Sequence, residues 1–278
     1  MNLPESGVSA HYSRGELRER LRAALVEDGA DPRRPSLAAL APYDQFHGRG
    51  LEATVEIADA LAIRAADHVL DVGSGIGGPA RYFAARFGCR VTGIDLTAEF
   101  CEVARELTRV TGLDVNVGFV DGDALAMPFA DASFDGAYSM NVSMIIADKP
   151  ALYREIHRVV KPGGWLMLSE IARGAGADPD FPVPWAASSE TSFLATPEAT
   201  RGGLVAAGFD VVQLRSTREQ ALASIARARA MADRGEKPPH RAVALIHGHI
   251  ARTVMANTAR ALADGRLDPI EVLATRRR

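Results

Sequence analysis

The stretch at residues 67–84, DHVLDVGSGIGGPARYFA, constrains this chain more than any other. Val69, Leu70 and Val72 enclose Asp71 in a short, apolar, mostly β-branched run, which suits a strand buried on both faces. The loop Gly73-Ser74-Gly75-Ile76-Gly77-Gly78 follows, and Pro79 stands where a helix can begin, because the first turn has no use for its missing N–H. Strand, glycine loop and helix in this order bring bare backbone N–H groups at a helix N-terminus to a nucleotide-like ligand. A plain tight turn is the competing reading. Five glycine or serine residues in six positions is more freedom than a turn needs, and each glycine costs conformational entropy on folding. Gly73, Gly75 and Gly78 satisfy G-x-G-x-x-G, so a nicotinamide or flavin dinucleotide is a candidate. Asp71 weighs against it: a carboxylate so close to the first glycine would meet a pyrophosphate with like charge and suits a ligand with a cationic end.

Downstream, Arg90-Val91-Thr92-Gly93-Ile94-Asp95 reads as a second strand ending in an acid. Asp95 lies 22 residues after Gly73, the spacing at which a carboxylate can take both ribose hydroxyls of an adenosine. Dinucleotide and S-adenosylmethionine sites share that feature, so it does not choose between them. Asp123 follows a strand expected over residues 115–120 and can accept a hydrogen bond from an adenine amino group. Residues 134–139 read as a fourth strand. The choice falls to Asp71, since S-adenosylmethionine carries an ammonium and a sulfonium where a dinucleotide carries phosphates.

In order, LDVGSGIGG, VTGIDLT, DGDALAMPFADASFDGAYS and LYREIHRVVKPGGWLMLSEI resemble the motifs of class I S-adenosylmethionine-dependent methyltransferases, over residues 53–171. LDVGSGIGGPARYFA and the preceding YDQFHGRG are similar to small-molecule enzymes: sarcosine/dimethylglycine, phosphoethanolamine and sterol or quinone methyltransferases. The resemblance implies an α/β fold, a doubly wound Rossmann-like sheet of seven strands whose last two form an antiparallel edge hairpin. It implies S-adenosyl-L-methionine as cofactor, held by Asp71, Gly73, Gly75, Gly77, Asp95, Leu96, Asp123 and Ala124, with Leu96 and Ala124 flanking the adenine. It implies in-line methyl transfer to a small-molecule acceptor, an amine nitrogen ahead of carbon or oxygen. The rivals are a nicotinamide-dependent oxidoreductase, disfavoured by Asp71 and by the lack of a Tyr-x-x-x-Lys pair after the fourth strand, and a non-catalytic nucleotide-sensing module.

Composition bounds the partners. The chain has 278 residues, 47% of them hydrophobic and 24% charged, ample for a core. A net charge of −3 gives no support for a nucleic-acid surface, and Arg276-Arg277-Arg278 reads as a solvated tail. Cys89 and Cys101 are too few for a disulfide framework and read as reduced, buried hydrophobes. No cationic-then-apolar leader opens the chain, and no run approaches the roughly 20 apolar residues that span a bilayer. A cytoplasmic monomer or homodimer acting on a small molecule, with no membrane partner, is the expectation.

The first ten residues read as a mobile tail, and Ser13-Arg14-Gly15-Glu16 as a capping box for a helix with Leu17, Leu21 and Leu25 on one face. A short helix is expected at residues 35–40 and another at 51–63 with Val55, Ala58 and Leu61 inward. Residues 1–52 then form a helical cap, and residues 53–278 the methyltransferase domain. Within that domain a loop at 174–193 and helices at 217–264, including one over 240–263 with Ile246, Ile250, Val254 and Leu262 inward, are insertions that shape the acceptor pocket. A strand is expected at 165–171, another at 211–214 and a last one at 270–274.

Methyl transfer needs no triad or metal, only alignment, exclusion of water and, for some acceptors, a base. Asn141, straight after the fourth strand, is the residue placed beside the reacting methyl, with a turn-forming role as its alternative. His47 is the candidate proton acceptor, since an unperturbed imidazole titrates near 6.5. With Tyr43, Gln45 and Phe46 it resembles the segment that closes over the cofactor in the sarcosine and phosphoethanolamine enzymes, and Gly48 and Gly50 can hinge it. Trp185 can line the acceptor pocket or simply pack its loop. His157 is expected at the surface. His240, His247 and His249 do not share a helix face with any acid or cysteine set, so no metal site is expected.

Overall fold

The computed structural model describes residues 16–278, so the expected tail and the Ser13 end of the capping box lie outside the described residues. Helix α1 (Leu17–Glu27) buries Leu17, Leu21 and Leu25, the stripe its spacing dictates. Ser36 opens α2 (Leu37–Asp44) by accepting the Ala39 N–H at 3.1 Å. That helix runs a turn past its expected end despite Pro42 inside it, as Tyr43 and Asp44 are held by distant partners, Asp28 and Arg81. Helix α3 (Leu51–Ala60) buries Ala53, Thr54, Ile57 and Ala58, whereas Val55 is half-exposed, and it ends early as Leu61 turns extended.

Seven strands follow: β1 (His68–Val72), β2 (Arg90–Asp95), β3 (Val117–Asp121), β4 (Phe134–Met140), β5 (Val160–Arg173), β6 (Phe209–Ser216) and β7 (Leu267–Arg276). They form one sheet in the order β3-β2-β1-β4-β5-β7-β6. All neighbours are parallel except those of β7, which runs antiparallel to both β5 and β6. Strand order reverses at β1, which has β2 on one side and β4 on the other, and in doubly wound sheets the carboxyl ends at such a point are where ligands bind. Helices α4 (Gly78–Phe87), α5 (Ala98–Val110), α6 (Lys149–Val159) and α7 (Pro197–Ala206) clothe the sheet. Strand alternation feeds two cores: Leu70 and Val72 pack with Leu152 and Ile156, while Val69 packs with Phe83 and Tyr138 on the other face.

Strand β5 begins at Val160 rather than Trp165, and its register jumps from Phe134↔Val160 to Gly136↔Trp165, so the Lys161-Pro162-Gly163-Gly164 turn bulges out within the strand. Helices α8 (Arg218–Asp233), α9 (Ala242–His247) and α10 (Ala251–Ala263) lie between β6 and β7. The single helix expected over 240–263 breaks at Gly248, whose φ is 56°, and its buried face is Ala242, Leu245, His247 and then Val254 and Leu262, with Ile246 and Ile250 only half-buried. Arg276 is no solvated tail: it is the last residue of β7 and donates to the Arg158 carbonyl at 3.1 Å. His157 is half-buried, edge-on to Phe209 at 5.3 Å. Among the described residues no helix is long and apolar enough to cross a membrane, and no His, Cys, Asp and Glu group could hold a metal ion.

Candidate active site

The glycine loop is anchored across the end of β2, where Gly73 N and Ser74 N both donate to the Ile94 carbonyl, at 2.8 and 3.0 Å. Gly73, Gly75 and Gly77 have φ of 74°, 52° and 79°, the left-handed region that costs glycine nothing. Close approach also demands glycine: a Cβ on Gly73 would lie 2.2 Å from Val142 Cγ2, and one on Gly78 would lie 2.2 Å from the Asp44 carbonyl. Pro79 stands in the first turn of α4, as its chemistry requires.

Asp71 and Asp95 meet this loop at strand ends, and Asp123 follows the end of β3. Asp71 is 2% exposed, and burial, reinforced by the Asp95 charge, pushes its carboxyl up to about 7 against the opposing effect of Tyr138. Its Oδ2, the Tyr138 hydroxyl and Ser74 Oγ are buried without a hydrogen bond of ordinary geometry. Asp95 is half-buried; Oδ2 accepts from Gly75 N at 2.8 Å and Oδ1 from Thr97 N at 2.9 Å. Burial raises its pKa against these bonds, and each oxygen keeps a second lone pair for another donor. Leu96, next in sequence, is 45% exposed. Asp123 is exposed and accepts from Leu125 N at 2.8 Å, and Ala124 is half-buried against the core.

The segment at residues 42–50 lies directly on the loop. Asp44, 3% exposed, binds the wholly buried Arg81 of α4 at 2.9 Å, and Arg81 also donates to Thr108 Oγ1 at 3.2 Å. A buried ion pair of this kind costs much desolvation, and burial accordingly depresses the Arg81 pKa. Phe46 stands over Gly75 and meets Phe100 edge-on at 5.4 Å. Gln45 donates to Asp44 Oδ1 at 2.9 Å and accepts from Thr54 Oγ1 at 2.7 Å. His47 Nε2 lies 3.1 Å from Thr54 Oγ1 and 3.3 Å from Gln45 Oε1, and Nδ1 lies 3.2 Å from the Gly48 carbonyl. Burial above all, with His240 and Arg49 adding, pushes this imidazole down to about 3. The expectation of an unperturbed imidazole near 6.5 is therefore corrected: at neutral pH this ring is neutral and a weak proton acceptor.

Asn141 adopts a left-handed φ of 58° directly after β4, and its N–H donates to the Ser169 carbonyl at 2.8 Å. With its amide turned to satisfy both ends, Nδ2 donates to Ser169 O at 3.3 Å and Oδ1 accepts from Gly48 N at 3.1 Å. It thus joins the sheet edge to the overlying segment. Tyr43 and Trp185 are placed elsewhere. The Tyr43 hydroxyl donates to Asp28 Oδ2 at 2.7 Å under the Arg241 guanidinium, inside the core of the first helices. Trp185 is buried in a cluster with Met144, Val183 and Leu262, its Nε1 donating to Ser192 Oγ at 2.9 Å.

The structure thus gathers Asp71, Gly73, Gly75, Gly77, Asp95, Gln45, Phe46, His47 and Asn141 around one loop, with Leu96 next in sequence to Asp95, and Asp123 and Ala124 following Gly122, whose N–H donates to the Asp95 carbonyl. Sequence reasoning missed Arg81, Asp44, Thr54 and Glu170. Two of these carried a signal: a charged side chain among buried neighbours, in PARYFAARF and in WLMLSEIAR.

A family model described as a methyltransferase domain matches residues 70–168. The 24-methylenesterol C-methyltransferase 2 of Oryza sativa subsp. japonica is 44% identical over 108 residues, covering 39% of this chain and 30% of that protein. The chain spans between 25% and 46% of the length of the first curated relatives it matches, plant phosphoethanolamine N-methyltransferases among them. Among solved structures, Haemonchus contortus phosphoethanolamine N-methyltransferase 2, in complex with phosphomonomethylethanolamine and S-adenosylhomocysteine, has a TM-score of 0.69 at 20% identity, over 94% of this chain and 60% of that one. The [4+2]-cyclase SpnF has a TM-score of 0.67 at 22% identity, over 100% of this chain and 99% of that one. At such identities the structural likenesses speak to the fold. Motif order, sheet order and sequence relatives agree: residues 70–168 match a methyltransferase domain, set in a sheet with the strand order of the S-adenosylmethionine-dependent methyltransferase fold.

Proposed function

We propose that this chain transfers a methyl group from S-adenosylmethionine to an amine nitrogen of a small molecule. Asp71 carries the cofactor half of the reading. A buried carboxylate with an unpartnered oxygen beside a glycine loop suits a cationic ammonium and repels a pyrophosphate. The other residues fit the same group: Ser74 Oγ is a second orphaned polar atom, Asp95 has lone pairs left for ribose hydroxyls, and Leu96 offers an exposed apolar surface to adenine, with Asp123 and Ala124 beyond. When bound, the cofactor supplies a methyl group activated by a sulfonium. The chain's own part is to hold and orient, to exclude water and to manage protons.

The amine half rests on proton handling. His47 is neutral with both ring nitrogens facing protein partners, and Glu170 is filled by donors from Ser139, Val142 and Ser143. A hydroxyl or carbon acceptor must give up a proton to a base, whereas a neutral amine brings its lone pair ready-made, and apolar surroundings favour that neutral form. C- or O-methylation is the alternative. In this reading His47 orients the Gln45 amide rather than taking a proton, and Asn141 faces the methyl. Of the cap expected over residues 1–52, the described part, residues 16–52, covers the loop, with the loop at 174–193 and helices at 217–264 shaping the acceptor pocket. Bonds from His240 Nε2 to the Gln45 carbonyl at 2.9 Å and from Arg241 N to the Pro42 carbonyl at 2.7 Å support that division.

The test is a melting titration with S-adenosylhomocysteine and with NAD, followed by transfer assays on amines and alcohols. A ligand held only by the native state stabilises it by about 2.7 kcal/mol at a hundredfold excess over Kd. Stabilisation by NAD alone overturns the cofactor reading, and transfer confined to hydroxyl or carbon acceptors overturns the nitrogen.

A further inference from the structure

Glu170 is a fully buried carboxylate to which the reading above gives no active part. Its side chain is 3% exposed on β5, and it is saturated with donors: Oε2 accepts from Val142 N and Ser143 N, both at 3.0 Å, and Oε1 from Ser139 Oγ at 3.3 Å. Those amides open the short turn Ser143–Ile145, and the residue just before them is Asn141, in its left-handed conformation. On the far side of the turn the Lys149 ammonium donates to the Ser143 carbonyl at 2.8 Å, to the Ile146 carbonyl at 2.9 Å and to the Phe193 carbonyl. Phe193 N returns a bond to the Met144 carbonyl at 2.7 Å. The turn is held at its N–H end by an anion and at its C=O end by a cation, the order that complements a helical dipole.

We propose that Glu170 is a positioning residue, which fixes Asn141 beside the transferred methyl by gripping the Val142 and Ser143 amides, while Lys149 couples the same turn to the acceptor loop that ends at Phe193. The proposal rests on the methyl-transfer reading for what Asn141 faces. A left-handed asparagine keeps its conformation only where its surroundings over-determine it. Here Ser169 O holds its N–H, and Glu170 holds the two residues after it.

The grip is strongest with charge. A protonated carboxyl would carry its proton on Oε1, facing Ser139 Oγ, and leave Oε2 an uncharged and weaker acceptor for the two N–H groups. Burial pushes Glu170 up to about 7, against the bonds from Ser143 and Val142 and the charge of Lys149. From α6, Lys149 and Tyr153 face it; burial lowers Lys149 to about 8, and burial together with Glu170 raises Tyr153. Burial itself favours the neutral acid, so the turn is released as pH falls through about 7, and the ammonium at its other end is lost above about 8.

Two measurements test this on the full chain. In the cofactor-free protein, hydrogen exchange at Val142 and Ser143, corrected for intrinsic rates, should lose at least about fivefold of its protection between pH 7.5 and 6, with β1 unchanged. In Glu170→Gln that protection should be low and flat. In turnover, Glu170→Gln should lower kcat at least about tenfold and lose the acid limb, while S-adenosylhomocysteine affinity moves less than about threefold. Protection in the wild-type protein that ignores pH overturns the proposal, as does wild-type kcat with an intact acid limb in Glu170→Gln. The exchange experiment needs neither a folded variant nor methyl transfer, so it decides the proposal even where the methyl-transfer reading fails.

Discussion

The loop at residues 73–78 takes its shape from its own residues: left-handed glycines, a proline in the first helical turn, and two bonds to a neighbouring carbonyl. The segment at residues 42–50 that rests on it takes its shape from distant ones. Arg81 reaches it from α4, Thr54 from α3, Asn141 from the sheet edge and His240 from the helices between β6 and β7. The loop is shaped locally, whereas its cover depends on a buried ion pair and a handful of polar bonds. On the proposed function, the local part would recognise the adenosine half and the long-range part would control access.

The largest expected effect breaks the cover at its charge. Arg81→Met leaves the Asp44 carboxylate buried against Gln45 alone, and losing one partner of a buried pair costs about 3–5 kcal/mol. Chemical denaturation measures it, and removing both charges in Arg81→Met with Asp44→Leu should recover most of the loss. A single variant within about 1 kcal/mol of wild type would mean that the cover is held by something else.

Next in size is the local side of the comparison. Asp95→Ala removes the acceptor of two backbone bonds and of the proposed ribose contacts, and should weaken S-adenosylhomocysteine at least about tenfold in a folded protein, near 1.4 kcal/mol. Unchanged affinity by calorimetry would remove Asp95 from the site. A related readout is the proton on Asp71. Its carboxyl is raised from 3.8 to about 7, so it is mostly protonated at pH 6 and ionises as pH rises. A cationic ligand end favours the carboxylate, so binding at pH 6 should release between about half and one proton, seen as a dependence of binding heat on buffer. Absence of release would part Asp71 from the cationic end.

The smallest effect on binding belongs to His47. His47→Ala should move cofactor affinity less than about threefold and lower turnover by loosening Gln45. The acid limb near pH 7 should persist in this variant, because an imidazole already pushed down to about 3 does not titrate there. Disappearance of the limb would return the proton-accepting role to His47.

The same division explains what was legible from the chain. The strand, glycine loop and helix around Asp71 and the acid ending β2 follow from local periodicity and spacing, and the sheet of seven strands from the family resemblance of the ordered motifs. The run of α2 through Asp44, the break at Gly248 and the commitment of Tyr43 to Asp28 and Arg241 are set by tertiary contacts that no window of sequence contains. Arg81 and Glu170 were hidden for a subtler reason. A single charge in an apolar run has no pattern of its own, and its partners, Asp44 at 37 residues' distance and Val142 at 28, are visible only in three dimensions.

The placing of β7 has a consequence for how such a chain is made. Strand β5 is parallel to β4 on its inner side, but its outer neighbour is β7, through pairs from Trp165↔Thr275 to Arg173↔Leu267. That partner emerges from the ribosome about a hundred residues after β5, and β6, made in between, can join the sheet only across β7. Until then β5 presents an open row of backbone donors and acceptors. The nucleotide half can be complete while the nascent chain is still at its most adhesive, so the helices between β6 and β7 prolong the interval in which a chaperone has something to hold.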